Sequence, residues 1–168
     1  MQEKKLYLLA QFDKDTQNVL SGYYEMLRQK GFIGNQTKNI PYHFTLGSHS
    51  SGSVNLEQQL ADDLERICAQ TMPFDITMGY IGMFAQNVLF VAPNINFELL
   101  KLQQSFFPDY VSGSHPWAAH ATILIDEPEA ILKAAAIVTK NHKPFTARIE
   151  SVALYEFFPA RLVKECIL

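Results

Sequence analysis

"YHFTLGS" at residues 42–48 and "WAAHATILI" at residues 117–125 write one pattern twice: a histidine, any residue, a threonine, then an aliphatic residue. Side chains alternate across a strand, so His43 and Thr45 share one side while Phe44 and Leu46 take the other. Tyr42, Phe44 and Leu46 suit a pleated, half-buried surface. One copy alone reads as the polar outer face of such a strand. With five histidines and eight threonines in the chain, a given histidine has about a one-in-twenty chance of a threonine two places on. Two copies, each inside a predicted strand, are not explained that way.

The segments around them also repeat. "LYLLAQF" (6–12) is an apolar strand. Asp13 or Asp15 then serves as N-cap for a helix whose apolar face is Val19, Leu20, Tyr23 and Leu27, with Gly31 as its stop. After a polar loop and the His43 strand, residues 55–71 set Leu56, Leu60, Leu64, Ile67 and Cys68 on one helical stripe. A strand at 73–84 opens with a proline.

The second half follows suit, with a strand at 87–93, a helix at 96–107 and the His120 strand. A helix running to about Asn141 comes next, with Asp126 as N-cap, Glu129 completing a capping box and Pro128 in its first turn. The last strand, 144–157, opens with Pro-Phe as the strand at 73–84 does. Duplicated halves pack about a pseudo-twofold axis. We therefore expect one domain over 1–168, with lobe-forming halves of about 1–85 and 86–168. A central cleft between them should receive one His-Thr pair from each wall.

Composition narrows the function. The chain is 48% hydrophobic and 18% charged, with no low-complexity tract, so it is ordered and globular. A net charge of -3 and a pI near 5.9 argue against a broad nucleic-acid-coating surface, and leave room for a small anion or an oligonucleotide end. The apolar run after Lys4 and Lys5 is too short for a signal peptide and breaks at Asp13. No stretch has transmembrane length. Cys68 and Cys166 lack any CxxC or metal-ligand spacing and read as buried thiols of a reduced, cytoplasmic protein. A monomer is the expected state.

Two imidazoles on facing walls suit phosphoryl transfer at a diester. Imidazole titrates near neutral pH, so one ring can hold a proton while the other lacks one. In-line displacement at phosphorus needs a base for the incoming oxygen and an acid for the departing one. The threonine hydroxyls can donate to the non-bridging oxygens as charge builds there. No carboxylate or thiolate stands at ligand spacing to make these histidines a zinc or iron site, so no metal or cofactor is expected. Neither GxSxG nor a cysteine nucleophile is signalled.

"HFTL" and "HATI", in a duplicated chain of this size, resemble the paired motifs of the 2H phosphoesterase superfamily. Within it the chain is most similar to 2'-5' RNA ligases and RNA 2',3'-cyclic phosphodiesterases. "DITMGYIGMFAQNVLFVAP" and "VALYEFFP" carry the similarity beyond the motifs. The resemblance implies an α+β fold of two pseudo-symmetric lobes, each an antiparallel sheet flanked by helices, around a central cleft. It implies His43 and His120 as catalytic acid and base, and Thr45 and Thr122 as phosphate donors. The pseudo-symmetric sequence does not say which histidine is which; analogy makes His120 the base and His43 the acid. The substrate it implies is a nucleotide or RNA end bearing a cyclic phosphate, with a nucleotide-binding module of little turnover as the alternative. Many RNA-directed members carry a basic residue shortly after the second motif, where this chain has Asp126, and "GSHSSGS" replaces a basic, large-hydrophobic run after the first.

Trp117 is a candidate base-stacking platform or a core filler, and Tyr80 and Tyr155 are candidate cleft-lining or packing residues. His49 and Ser48 fall in a Gly/Ser-rich loop. His115 and His142 read as surface turn residues, and Arg161 as a surface or phosphate-contacting one.

Overall fold

The third strands of the two halves pair with each other. A computed structural model describes residues 4–50, 55–108 and 117–168. Among these the order is β1 (Lys5–Phe12), α1 (Lys14–Arg28), β2 (His43–Ser50), α2 (Leu56–Cys68), β3 (Phe74–Phe84), β4 (Val88–Pro93), α3 (Phe97–Phe106), β5 (Ala121–Ile125), α4 (Pro128–Asn141), β6 (Phe145–Phe157) and β7 (Arg161–Ile167). The repeat of strand, helix, strand, helix, strand is present in both halves, and β7 is added to the second.

All strands pair antiparallel in one path, β2-β1-β6-β3-β4-β5, with β7 on β6. β6 is the long strand that joins two wings. Its first part, Phe145–Ile149, pairs with Phe74–Met78 of β3, and its later part pairs with β1 and β7. One wing is therefore β2, β1, late β6 and β7, and the other is β5, β4, β3 and early β6. Each half of the chain lends its third strand to the sheet of the other. The halves at 1–85 and 86–168 repeat in order without each closing its own sheet. The reason is register: Phe74 lies opposite Ile149, and Met78 opposite Phe145, so the two Pro-Phe strands are twofold mates about the Ile76–Ala147 pair.

Helices α2 and α3 back the first wing, and α1 and α4 back the second. Their apolar stripes meet one face of the sheet, where Leu8, Phe44, Leu46, Leu89, Ile123 and Leu154 are buried. Asp13 caps α1, its carboxylate accepting from the Thr16 N–H at 2.9 Å. The N-cap of α4 is Glu127 rather than Asp126. Pro128 restricts the residue before it to extended backbone, so Glu127 takes the cap geometry and Asp126 accepts its N–H instead. The strand carrying His43 runs on through Ser48 and His49 to Ser50, although their composition suggests a loop. β7 leaves no clear mark in the sequence, because its half-exposed edge carries little apolar alternation.

Phe44, on the reverse side of the strand from His43, is fully buried and meets Phe12 edge-on at 4.8 Å. Truncation to alanine should cost about 3–5 kcal/mol through lost burial and a residual cavity. Urea unfolding of Phe44→Ala tests this; a change under about 1 kcal/mol would contradict the packing described.

Candidate active site

His43 and Thr45 stand on the face of β2 opposite Phe44. Across the strands, His43 lies opposite Gln11 and Thr45 opposite Leu9, while Leu9 in turn meets Ala153, and Tyr7 meets Tyr155. Leu9, Ala153, Tyr155 and Phe157 form a small apolar cluster of their own, with Tyr7 and Ile40 packed on it. This cluster floors a cleft of about 580 Å³. His43, Thr45 and Thr122 line it together with Tyr7, Tyr24, Phe157, Phe158 and the segment 36–42. Threonines 45 and 122, from opposite wings, therefore meet in one cavity.

A bulge falls at the fourth residue of each motif. Along β1, Leu8 pairs with Gly47 but Leu9 with Thr45, so Leu46 is the extra residue. Along β4, Leu89 pairs with Leu124 but Phe90 with Thr122, so Ile123 is the extra residue. Both extra residues are buried. A bulge bends its strand and re-aims neighbouring side chains, and here it gives the aliphatic fourth residue of each motif its structural role.

His120 sits one residue before β5. Its ring meets Phe84 edge-on at 4.7 Å and tilts against Phe90 at 5.2 Å. The two histidines are held alike: Nδ1 of His43 lies 2.8 Å from the Pro41 carbonyl oxygen, and Nδ1 of His120 lies 2.7 Å from that of Ala118. A carbonyl can only accept, so each Nδ1 carries a proton and each neutral ring keeps its lone pair on Nε2. Burial pushes both pKa values below the ordinary 6.5, against the carbonyl bond that favours imidazolium; the charge of His120 lowers His43 further. Each ring thus keeps its Nε2 lone pair for a proton, at a pKa that burial lowers.

Other sequence candidates fall elsewhere. Trp117 packs on the core, and its indole N–H donates to the Thr45 carbonyl at 2.9 Å. It does not line the cleft; it ties the approach to His120 to the first motif strand. Tyr155 is 8% exposed and lies in the floor, stacked at 5.9 Å on Phe157, which does line the wall. Tyr80 is 61% exposed and outside the cleft. Arg161 is held by Glu57 and Glu156. His49 is half-buried and stacked at 4.9 Å on Phe107, and His142 is half-buried with Nδ1 bonded to the Tyr23 hydroxyl, so neither is a solvated turn residue. His115 lies outside the described residues. Among the described residues no cluster of three or more His, Cys, Asp or Glu is placed to hold a metal ion, and no helix is long and apolar enough to cross a membrane.

The segment 36–42 escaped the sequence reading because it has no periodicity. Tertiary hydrogen bonds place it: Asn35 N–H donates to the Ile125 carbonyl at 2.6 Å, Ile125 N–H to Gln36 Oε1 at 3.3 Å, and Gln17 and Tyr42 exchange two bonds of 2.8 Å. Tyr7 and Leu9 were hidden in a continuous apolar run, where alternation is invisible.

A sequence model of the 2'-5' RNA ligase superfamily matches residues 24–157. The chain belongs to this superfamily. No curated protein sequence matches the chain. Solved structures share the fold over its full length. E. coli LigT in apo form is 18% identical, covers 100% of this chain and 99% of its own, and superposes with a TM-score of 0.67. The same protein complexed with 3'-AMP is 18% identical over 99% of each chain, with a TM-score of 0.68. TT0787 of Thermus thermophilus is 14% identical over 98% of this chain and 97% of its own, with a TM-score of 0.68. The antiparallel α+β architecture expected from the paired motifs is thus that of the superfamily.

In this superfamily member, imidazole nitrogen NMR at neutral pH should find His43 and His120 neutral, protonated at Nδ1 and titrating below 6.5. A ring carrying its neutral proton on Nε2 would refute the assigned hydrogen bonds. Trp117→Phe removes the donor to the part-buried Thr45 carbonyl and should cost about 1 kcal/mol in urea unfolding, the net worth of a typical hydrogen bond.

Proposed function

We propose that the protein is a metal-independent phosphoesterase that opens a 2',3'-cyclic phosphate by attack of water between His43 and His120. The observation that carries this reading is the matched pair of imidazoles, each with Nδ1 committed to a carbonyl two residues back and Nε2 left for proton transfer. Nε2 of one ring takes the proton of water as its oxygen bonds to phosphorus. The bond from phosphorus to one ribose oxygen breaks, and the other ring's Nε2–H protonates that oxygen. The product is a monophosphate, and solvent exchange restores the two protonation states. Run backwards with a ribose hydroxyl in place of water, the same site joins ends as a ligase.

The surroundings of the rings support a direction. His43 lines the aromatic cleft, where a nucleoside fits, while His120 faces Phe84 and Phe90. In a cyclic phosphate the departing oxygen stays on the ribose. The acid therefore belongs on the nucleoside side, at His43, and the base at His120. Thr45 and Thr122 donate to the non-bridging oxygens from the two wings.

Incubation with 2',3'-cyclic nucleotides in EDTA should yield a single monophosphate. His43→Ala and His120→Ala should each lower kcat by about 10²–10⁴-fold, and Thr45→Val or Thr122→Val by about 10²–10³-fold. Binding without turnover, or activity lost with chelator, would overturn the reading.

The pH profile follows from the two depressed pKa values. Rising pH strips the acid and falling pH fills the base, so both limbs of kcat/KM lie below 6.5 and the bell peaks on its acid side. A bound phosphodiester anion favours imidazolium, which moves the kcat profile to higher pH. A kcat/KM maximum on the alkaline side of neutrality counts against the mechanism.

A further inference from the structure

Building on that reading, we propose that the cleft selects a cyclic phosphate of single-nucleotide size, and that a polynucleotide chain beyond this unit gains no contacts. Charge is the first argument. The undescribed segments 1–3, 51–54 and 109–116 contain no Lys or Arg, so all 14 basic residues lie within the described structure. One of them, Lys38, lines the cleft. None of the other thirteen lines it, and seven of them are engaged with carboxylates elsewhere, among them Arg148 and Arg161. Tracking a nucleic-acid backbone takes a row of cations, roughly one for each phosphate contacted. A single cation matches a single phosphate. Beyond the wall residue Ile125 the chain continues with Asp126 and Glu127, which repel a backbone.

Shape is the second argument. Segment 36–42 crosses from one wing to the other, and Ile125 on the far wing holds its leading end, its carbonyl accepting from the Asn35 N–H and its own N–H donating to Gln36 Oε1. Peptide thus walls the cleft on that side, which narrows the room for a strand to run through there. The enclosed space, about 580 Å³, falls within the roughly 300–1,000 Å³ of sites for compact ligands.

The lining supplies the third. Tyr7, Tyr24, Tyr42, Phe157 and Phe158 surround the His43 side, and Phe158 is held at 59% exposure. Aromatic faces stack on any base, so they recognise a nucleobase without reading sequence.

The test compares kcat/KM for 2',3'-cyclic AMP with that for a short RNA oligonucleotide ending in a 2',3'-cyclic phosphate, at several salt concentrations. Calorimetric titration with 3'-AMP and with a 3'-phosphorylated oligonucleotide runs in parallel. The mononucleotides should match or exceed the oligonucleotides in both assays. The slope of log(kcat/KM) against log salt should be no steeper than about -1 for either substrate, and Lys38→Gln should flatten it. An oligonucleotide advantage above about tenfold, or a slope that steepens with chain length, overturns the proposal. Tight binding of 3'-AMP with turnover of neither substrate overturns the hydrolase reading and leaves the size selection standing. Weak binding of every ligand overturns both.

Discussion

The antiparallel pairing of the two Pro-Phe strands, β3 with early β6, is the contact from which the site follows. Each half of the chain makes a two-strand unit from its first and second strands, β1 with β2 and β4 with β5, and such pairs are marginal alone. Strand exchange completes them: β6 is laid on β1, and β3 on β4. The same exchange turns the motif strands toward one cavity. Burial and the backbone ladder hold the joint, with Ala147 fully buried and Ile76 nearly so. The Arg148–Asp75 ion pair beside it is half exposed at both ends, and such pairs contribute about 0–1 kcal/mol.

The pseudo-twofold governs the backbone and the histidine tethers, then fails in the side chains beneath the motifs. Leu9 lies opposite Thr45 where Phe90 lies opposite Thr122. The Phe90 ring presses so closely on Gly82 that a Cβ there would sit 2.4 Å from it, and Phe84 tilts against that ring at 4.4 Å. One wing is thus filled over its third strand, while the other stays open above Leu9 and Ala153. A matched pair of histidine tethers is thus combined with a one-sided cavity. The floor of that cavity connects to Tyr155, whose hydroxyl pKa burial raises, so the residue supports Phe157 rather than meeting solvent.

Periodicity made most of the fold legible. The stripe of Leu60, Leu64, Ile67 and Cys68 became the buried face of α2, and Asp13 became the cap of α1. Errors arose where a local rule met a stronger one. Asp126 satisfies a capping pattern, but the backbone restriction imposed by Pro128 moved the cap to Glu127. Ser48 and His49 have loop composition, yet pairing with Tyr7 and Leu6 holds them in the strand.

By itself, the sequence determined the repeated order of elements, and it singled out two histidines and two threonines as candidates for work at a phosphate. Those properties depend on spacing along the chain, which is all that a period of two or 3.6 requires. Only the tertiary structure decided that third strands change partners, that the Trp117 indole reaches the first motif strand, and that segment 36–42 walls the cleft. Each of these rests on hydrogen bonds and packing between residues far apart in the chain, as with Trp117 and Thr45. Local pattern carries no record of such register, because it is set by which distant surfaces bury each other best.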